Sequence, residues 1–276
     1  MAFVLRLMEK NIWVGQFSSF SSDRIIHGIS TRFGGVSDSP YDSLNLALHV
    51  GDDSTAVIEN RQRFCQVLGL SAERITTSEQ VHGERVFCVT EKEAGRGWRD
   101  YGDAISQTDA LLTNVPGVPL FLCYADCVPV LFWDPKRRAV AIAHAGWKGT
   151  LQGIAVKTLR AMTAAFGTTP KDCLAAIGPA IGPEYYSVGD EVAEQFRTAF
   201  PGWEREIVRF TSGCHHLDLW AANRLQLEAA GIPVKNIDTA AVCTASNAKL
   251  FFSYRADGGK TGRMGAVIAL KEQIGT

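Results

Sequence analysis

The chain has 276 residues, 46% of them apolar, and a net charge of −1. That length buries a large core, and the balanced charge offers no basic field to a polyanion, which argues against nucleic acid as a partner. Seven cysteines, an odd number with no CxxC pair, read as reduced, cytoplasmic thiols rather than a disulfide framework.

The N-terminal MAFVLRLMEKNIW is too broken by charge to read as a secretory signal. The first predicted strand is Ile25–Ser30, and STRFGGVS follows it. Arg32 beside Gly34 and Gly35 in that loop is a candidate anion site, since paired glycines turn backbone N–H groups outward and arginine forks onto a phosphate. A bare GG after a strand more often marks a plain turn. Ser54–Leu68 carries Val57, Phe64 and Val67 on one side and is predicted as a helix stopped by Gly69. Ile75–Val81 and Glu84–Val89 read as strands flanking QVHG, which holds Gln80 and His82. The most apolar stretch, Val115–Pro135, contains four prolines and so cannot be one membrane helix. It reads instead as strands Leu120–Tyr124 and Val128–Trp133 around the polar interruption ADC, with Asp126 and Cys127. Asp134 to Arg138 is a hairpin turn leading into Ala139–His144.

The tight AHAGWKG turn after that strand carries His144, Gly146 and Trp147. A helix Thr150–Phe166 is then expected, followed by strand Leu174–Ile177, helix Asp190–Phe200, strand Val208–Phe210 and helix Leu217–Ala230. Strands Ile237–Cys243, Leu250–Tyr254 and Ala266–Leu270 close the chain. Near its end FFSYRADGGKTGR supplies Arg255, Lys260 and Arg263, read by default as solvated charge. No repeat and no low-complexity linker divides the sequence. Strands clustered into hairpins and separated by helices predict one layered α+β domain, with a mixed sheet flanked by helices.

His82, Cys127 and His144 share a pattern. Each ends or interrupts an apolar strand beside a turn residue, where a rigid backbone aims a side chain into a cleft. Taken singly, each is better explained as a hydrogen-bonded histidine or a small core thiol. Together, two imidazoles and a thiolate make a three-ligand face of the kind that leaves a catalytic zinc one open position. Asp126 beside Cys127 would accept a proton, support a ligand or cap the turn, and Trp147 would stack on a flat ring or simply pack.

TRFGGVS, SLNLALHVGDD, QVHG, DALLTNVPGVPL, ADCVPVLFWDP, AHAGWKGT, AIGPAIGP, LDLWAANRLQL and FFSYRADGGKTGR occur in that order. Together they resemble the YfiH-type family, whose members have been called laccase-domain or polyphenol-oxidase proteins and purine nucleoside phosphorylases. The resemblance runs from about Ile25 to Leu270. It implies a fold similar to the catalytic domain of cytotoxic necrotising factor, and a metal held by His82, Cys127 and His144, usually zinc, with copper as the other candidate. It also implies phosphorolysis of adenosine, inosine and S-methyl-5'-thioadenosine and deamination of adenosine, with purine nucleosides and phosphate as partners; a monomer and a homodimer are both open. On that reading Arg32, Gly34, Gly35, Asn45, Gln80 and Trp147 bind substrate, and Asp126, Cys127 and Arg32 take part in catalysis. Many family members have cysteine after the second IGP, where this chain has Glu184 and Tyr185. Two other readings compete for the same atoms. In one, Cys127 is the nucleophile of a Cys–His hydrolase acting on cell-wall precursors. In the other the chain is a copper oxidase, which six histidines without a His-x-His pair serve poorly.

Overall fold

The structure, a computed structural model, describes residues 3–21 and 23–272. Its first strands are β1 (Phe3–Leu7), β2 (Trp13–Phe17), β3 (Ile25–Ser30), β4 (Val86–Cys88), β5 (Ala110–Thr113), β6 (Leu120–Tyr124) and β7 (Val128–Asp134). Then come β8 (Ala139–Ala145), β9 (Leu174–Ile177), β10 (Ser187–Val188), β11 (Val208–Thr211), β12 (Cys214–Leu217), β13 (Ile237–Thr239) and β14 (Met264–Leu270). The helices are α1 (Ser54–Val67), α2 (Trp147–Leu151), α3 (Ile154–Phe166), α4 (Asp190–Ala199), α5 (Glu204–Ile207) and α6 (Leu219–Ala229).

Where one mixed sheet was expected, the described residues form three. A six-stranded mixed sheet runs β13-β9-β7-β8-β5-β4, and a five-stranded antiparallel sheet runs β1-β2-β3-β14-β6. A small sheet, β10-β12-β11, completes the set. The reason for two large sheets is visible in β7 and β8, whose residues are all buried. Alternate side chains of a strand point to opposite faces. Val128, Val130 and Phe132 meet Leu159 and Met162 of α3 and Leu225 of α6 on one face. Leu131, Trp133, Val140 and Ile142 meet Leu122, Ala266 and Ile268 of the five-stranded sheet on the other. Beyond that sheet, Phe121 and Val267 pack on Phe64 and Cys65 of α1. A fully buried Leu, Val or Phe contributes roughly 1.5–3 kcal/mol, against roughly 1–2 kcal/mol of backbone entropy per ordered residue. The doubly covered β7–β8 hairpin is therefore a firm base for the loops at its end. Its turn is closed by Asp134 Oδ1, which accepts from the N–H groups of Lys136 (2.9 Å) and Arg137 (3.0 Å).

Several boundaries differ from the sequence expectations for identifiable reasons. The helix expected at Thr150–Phe166 divides into α2 and α3, because Gly153 adopts φ +73°. Ile75–Val81 makes only the isolated bridges Thr76 to Leu120 and Ser78 to Ile105. Leu250–Tyr254 forms turns, and the Leu250 carbonyl accepts from the Arg32 N–H (2.9 Å). Among the described residues no helix is long and apolar enough to cross a membrane.

Candidate metal centre and its pocket

Strand register builds the centre. In the β7–β8 pairing Pro129 lies opposite His144 and Val128 opposite Ala145, so Cys127, one residue before β7, falls beside the end of β8. In the β5–β8 pairing Ala110 lies opposite Ala143, so Asp109 falls beside His144, whose N–H donates to the Asp109 carbonyl (2.8 Å). Three adjacent strands thus deliver Cys127, His144 and Asp109 in a row at one end of the six-stranded sheet. His82 arrives on the loop ahead of β4, with the left-handed φ of +59°.

Asp109 holds that loop. Its carboxylate is buried and accepts from the N–H groups of Val81 (3.1 Å), His82 (3.0 Å) and Gly83 (2.8 Å). The same carboxylate accepts from His144 Nδ1 at 2.9 Å, which fixes the tautomer and turns Nε2 toward the centre. One ligand atom from each of His82, Cys127 and His144 lies within 4.8 Å of the other two. The two imidazole rings meet edge to face, with centroids 4.8 Å apart. Gly146 closes one side, for a Cβ there would sit 2.9 Å from Cys127 Sγ and 3.0 Å from His82 Cδ2.

The electrostatics suit a cation. Burial pushes the Cys127 thiol up, yet the contacts with His144 and His82 bring it down to about 6. Burial pushes the His144 imidazole down, and the charge of Cys127 and the bond to Asp109 more than reverse this, to about 9. For Asp109, burial is likewise outweighed by His144 and the backbone donors, and its carboxyl lies below the usual range. Both shifts run toward a thiolate facing an imidazolium in the metal-free centre. A thiolate and two imidazoles, one oriented by a carboxylate, fit a borderline-soft divalent metal, which would displace the imidazolium proton.

The centre opens into a pocket of about 550 Å3. The sequence-predicted residues His82, Cys127, His144, Asp126, Gln80 and Trp147 all line it. Gln80 exchanges two hydrogen bonds with the Cys123 backbone, both 2.8 Å. Asp126 has φ +81°, and both its oxygens receive donors: Thr244 Oγ1 at 2.6 Å and the Arg255 N–H at 2.7 Å. That occupancy leaves neither oxygen free for the proton-accepting role that the sequence suggested for Asp126.

Arg32, Gly34, Gly35 and Asn45 are not among the residues lining the pocket. The Arg32 guanidinium is spent on the carbonyls of Asp42 (3.0 Å) and Ala248 (2.7 Å) and pairs with the Asp42 carboxylate (3.5 Å). Gly35 is required by close packing, since a Cβ there would lie 2.0 Å from the Ser43 carbonyl oxygen. Asn45 is buried, and its Oδ1 accepts from the Arg263 N–H (2.9 Å). Glu184 and Tyr185 are exposed.

Sequence reasoning missed Asp109, although a carboxylate entering the apolar run ALLT demands donors to offset its burial. It also missed Tyr186 and Tyr254 and read as solvent-facing Arg263, which is half-buried, whereas Arg255 is exposed as expected and also lines the pocket.

The sequence model of a family described as multi-copper polyphenol oxidoreductase laccase matches residues 26–271. A protein of Geobacillus stearothermophilus named purine nucleoside phosphorylase YlmD is 44% identical over 249 residues, which cover 90% of this chain and 91% of that one. The Bacillus subtilis protein of the same name is 38% identical over 91% of each chain. The chain belongs to the YfiH/YlmD family. The crystal structure of the Geobacillus stearothermophilus YlmD superposes with a TM-score of 0.92 at 40% identity, over 98% of this chain and 100% of that one. The Bacillus licheniformis YfiH structure gives 0.91 at 38% identity, over 97% and 99%. The two descriptions attached to the YfiH/YlmD family, copper oxidase and nucleoside phosphorylase, differ in the ligands they require. Here His27 packs against Phe20, and His215 and His216 lie on β12, while His49 packs against Tyr101 and lines the pocket beside the centre. Among the described residues, the only cluster of three or more metal-ligating side chains is His82, Cys127 and His144.

Proposed function

We propose that this chain is a zinc-dependent purine nucleoside phosphorylase that cleaves adenosine, inosine and S-methyl-5'-thioadenosine to the free base and a ribose 1-phosphate, and that also deaminates adenosine. The observation that carries the reading is the open three-ligand centre at the floor of a pocket sized for a nucleoside. His82, Cys127 and His144 would hold the metal, which when bound supplies Lewis acidity and an acidified water at neutral pH. The half-buried rings of Trp147 and Tyr186 give the pocket flat apolar walls for a purine. Asp109 holds His144 and the His82 loop in place, so little reorganisation is needed when substrate enters. The names of the YlmD relatives support this reading, and the placement of His27, His215 and His216 outside the pocket weighs against a multicopper oxidase.

One observation favours a second reading. Cys127, His144 and Asp109 stand in the order nucleophile, base and orienting carboxylate, which suits a Cys–His hydrolase acting on amide bonds of cell-wall precursors. A single experiment separates the two. Products from adenosine are identified with and without phosphate, in enzyme that is metal-loaded, metal-stripped, or carrying His144→Ala. The proposal expects adenine only with phosphate, inosine without it, and neither from the stripped enzyme or from a folded His144→Ala protein. Full activity in the metal-free enzyme would overturn the zinc reading.

A further inference from the structure

The phosphorolysis reading requires an anion site, and Arg32 is too fully engaged to supply it. The pocket itself holds two other guanidinium groups, Arg255 and Arg263, and both are prepared in the same way. The Arg263 backbone is clamped from both sides: its N–H donates to Asn45 Oδ1 (2.9 Å), and its carbonyl accepts from the Leu46 N–H (3.1 Å). Its Nη1 donates to the carbonyls of Thr261 and Gly262, and the guanidinium lies over the Tyr254 ring, 5.5 Å from the centroid. The Arg255 N–H donates to Asp126 Oδ2 (2.7 Å), and its Nη1 donates to the carbonyl (3.1 Å) and hydroxyl (3.2 Å) of Ser187. This second guanidinium lies over the Tyr186 ring at 5.2 Å.

In each arginine the Nη1 corner is used to fix the side chain. Among the described residues, the Nε and Nη2 edge of neither has a hydrogen-bond acceptor or a carboxylate partner. That edge is the fork that matches two oxygens of a tetrahedral oxyanion. By contrast, Arg32 spends its Nε, Nη1 and Nη2 within the fold.

We propose that Arg263 and Arg255 form the phosphate subsite of this pocket, and that Asn45 and Asp126 act as positioning residues beneath them. This assignment rests on the phosphorolysis reading. In that reaction a phosphate oxygen forms a bond to ribose C1′ as the C1′–N9 bond breaks. The bonding pair leaves on the purine, which takes up a proton. A phosphate held by two fixed forks is oriented for that displacement, and its charge offsets a sugar that becomes cationic. Asp126 therefore contributes by fixing the Arg255 backbone, and its two accepted hydrogen bonds need not break during turnover.

Arg263→Gln and Arg255→Gln enzymes are compared with wild type in steady-state kinetics, after their zinc content and thermal melts have been matched. The expected result is a KM for inorganic phosphate raised about tenfold or more in each, with the KM for the nucleoside changed less than about threefold. Arg263→Lys, which keeps the charge and loses the fork, should fall between, and it preserves the test if Arg263→Gln does not fold. An unchanged KM for phosphate in the Arg263 and Arg255 variants overturns the subsite. If wild type makes no ribose 1-phosphate, the phosphorolysis reading itself has failed. Calorimetric titration with inorganic phosphate then decides the subsite: binding lost in the variants supports it, and absent or unaffected binding overturns it. A nucleoside 5'-monophosphate that binds more tightly than inorganic phosphate, and is lost with the same substitutions, would overturn the assignment to free phosphate.

Discussion

Asp109→Asn separates a centre organised by one carboxylate from three ligands that merely lie near one another. Asp109 is fully buried. Oδ2 accepts from the N–H groups of Val81 and Gly83, and Oδ1 from the His82 N–H and His144 Nδ1. An asparagine amide has one acceptor oxygen, so in either orientation its NH2 group faces two donors. The part-buried N–H groups of Val81 and Gly83 lose their acceptor in one orientation, and the His82 N–H alone in the other once His144 changes tautomer, at about 1–3 kcal/mol each. The expected destabilisation is about 1–6 kcal/mol depending on that orientation, against the roughly 5–15 kcal/mol that a domain possesses. The metal responds as well. If the amide turns its NH2 toward His144, Nδ1 must become the acceptor, and the proton moves to Nε2, the atom needed as ligand. Zinc affinity should fall about 10–100-fold. Competition with a chromophoric chelator measures the affinity. Cobalt substitution reports thiolate and imidazole ligation through its absorption, and urea unfolding reports stability. A variant that binds zinc as tightly as wild type, with an unshifted cobalt spectrum, would refute the role given to Asp109.

Gly146→Ala places a Cβ 2.9 Å from Cys127 Sγ while leaving a φ of −66° that alanine adopts freely. The fold should persist, and zinc affinity should drop about tenfold, since displacements near 1 Å are enough to loosen a site; equal affinity by the same chelator competition would show that the ligands have room to move. His27 governs acid stability. Burial holds its imidazole down at about 4, and its Nε2 accepts from the Phe17 N–H at 2.8 Å. Between pH 6.5 and 4 the unfolded chain takes up a proton that the native state refuses, so native stability falls through that window by up to roughly 3 kcal/mol. His27→Gln should be weaker than wild type at pH 7 and show a shallower loss on acidification; parallel urea-unfolding free energies across pH 7 to 4 would exclude His27 as the source.

The ligand residues were legible because each interrupts an apolar run that otherwise reads cleanly as buried strand. LFLCY and VPVLFWD flank Asp126 and Cys127, and AVAIAHA ends in His144 before Gly146. What brings them together is register, and register is a pairing between strands far apart in sequence. Asp109 lies 35 positions from His144 and 27 from His82, with no local pattern joining them. The second large sheet was hidden for a related reason. Its outer strand β1 alternates half-buried and exposed residues among charges, so FVLRL carries little of the periodicity that marks a buried strand.

Arginine poses the same difficulty in a sharper form. In sequence, Arg32 before two glycines looks prepared for an anion, and Arg255 and Arg263 look like solvent-facing charge. The difference between them lies in the acceptors each one meets. One acceptor of Arg32, the Ala248 carbonyl, is 216 positions away, and the residue that clamps the Arg263 backbone, Asn45, is 218 positions away. A guanidinium presents five N–H donors, and its function depends on how many the fold consumes. Arg32 is consumed as a strut between the 42–44 turn and the 248–252 segment. Arg255 and Arg263 are fixed by one corner and keep an edge for a ligand. Asp126 and Cys127 are consecutive, one holding the Arg255 backbone and the other supplying a ligand atom to the metal centre, so a single short loop ties the metal ligand to the segment that carries Arg255.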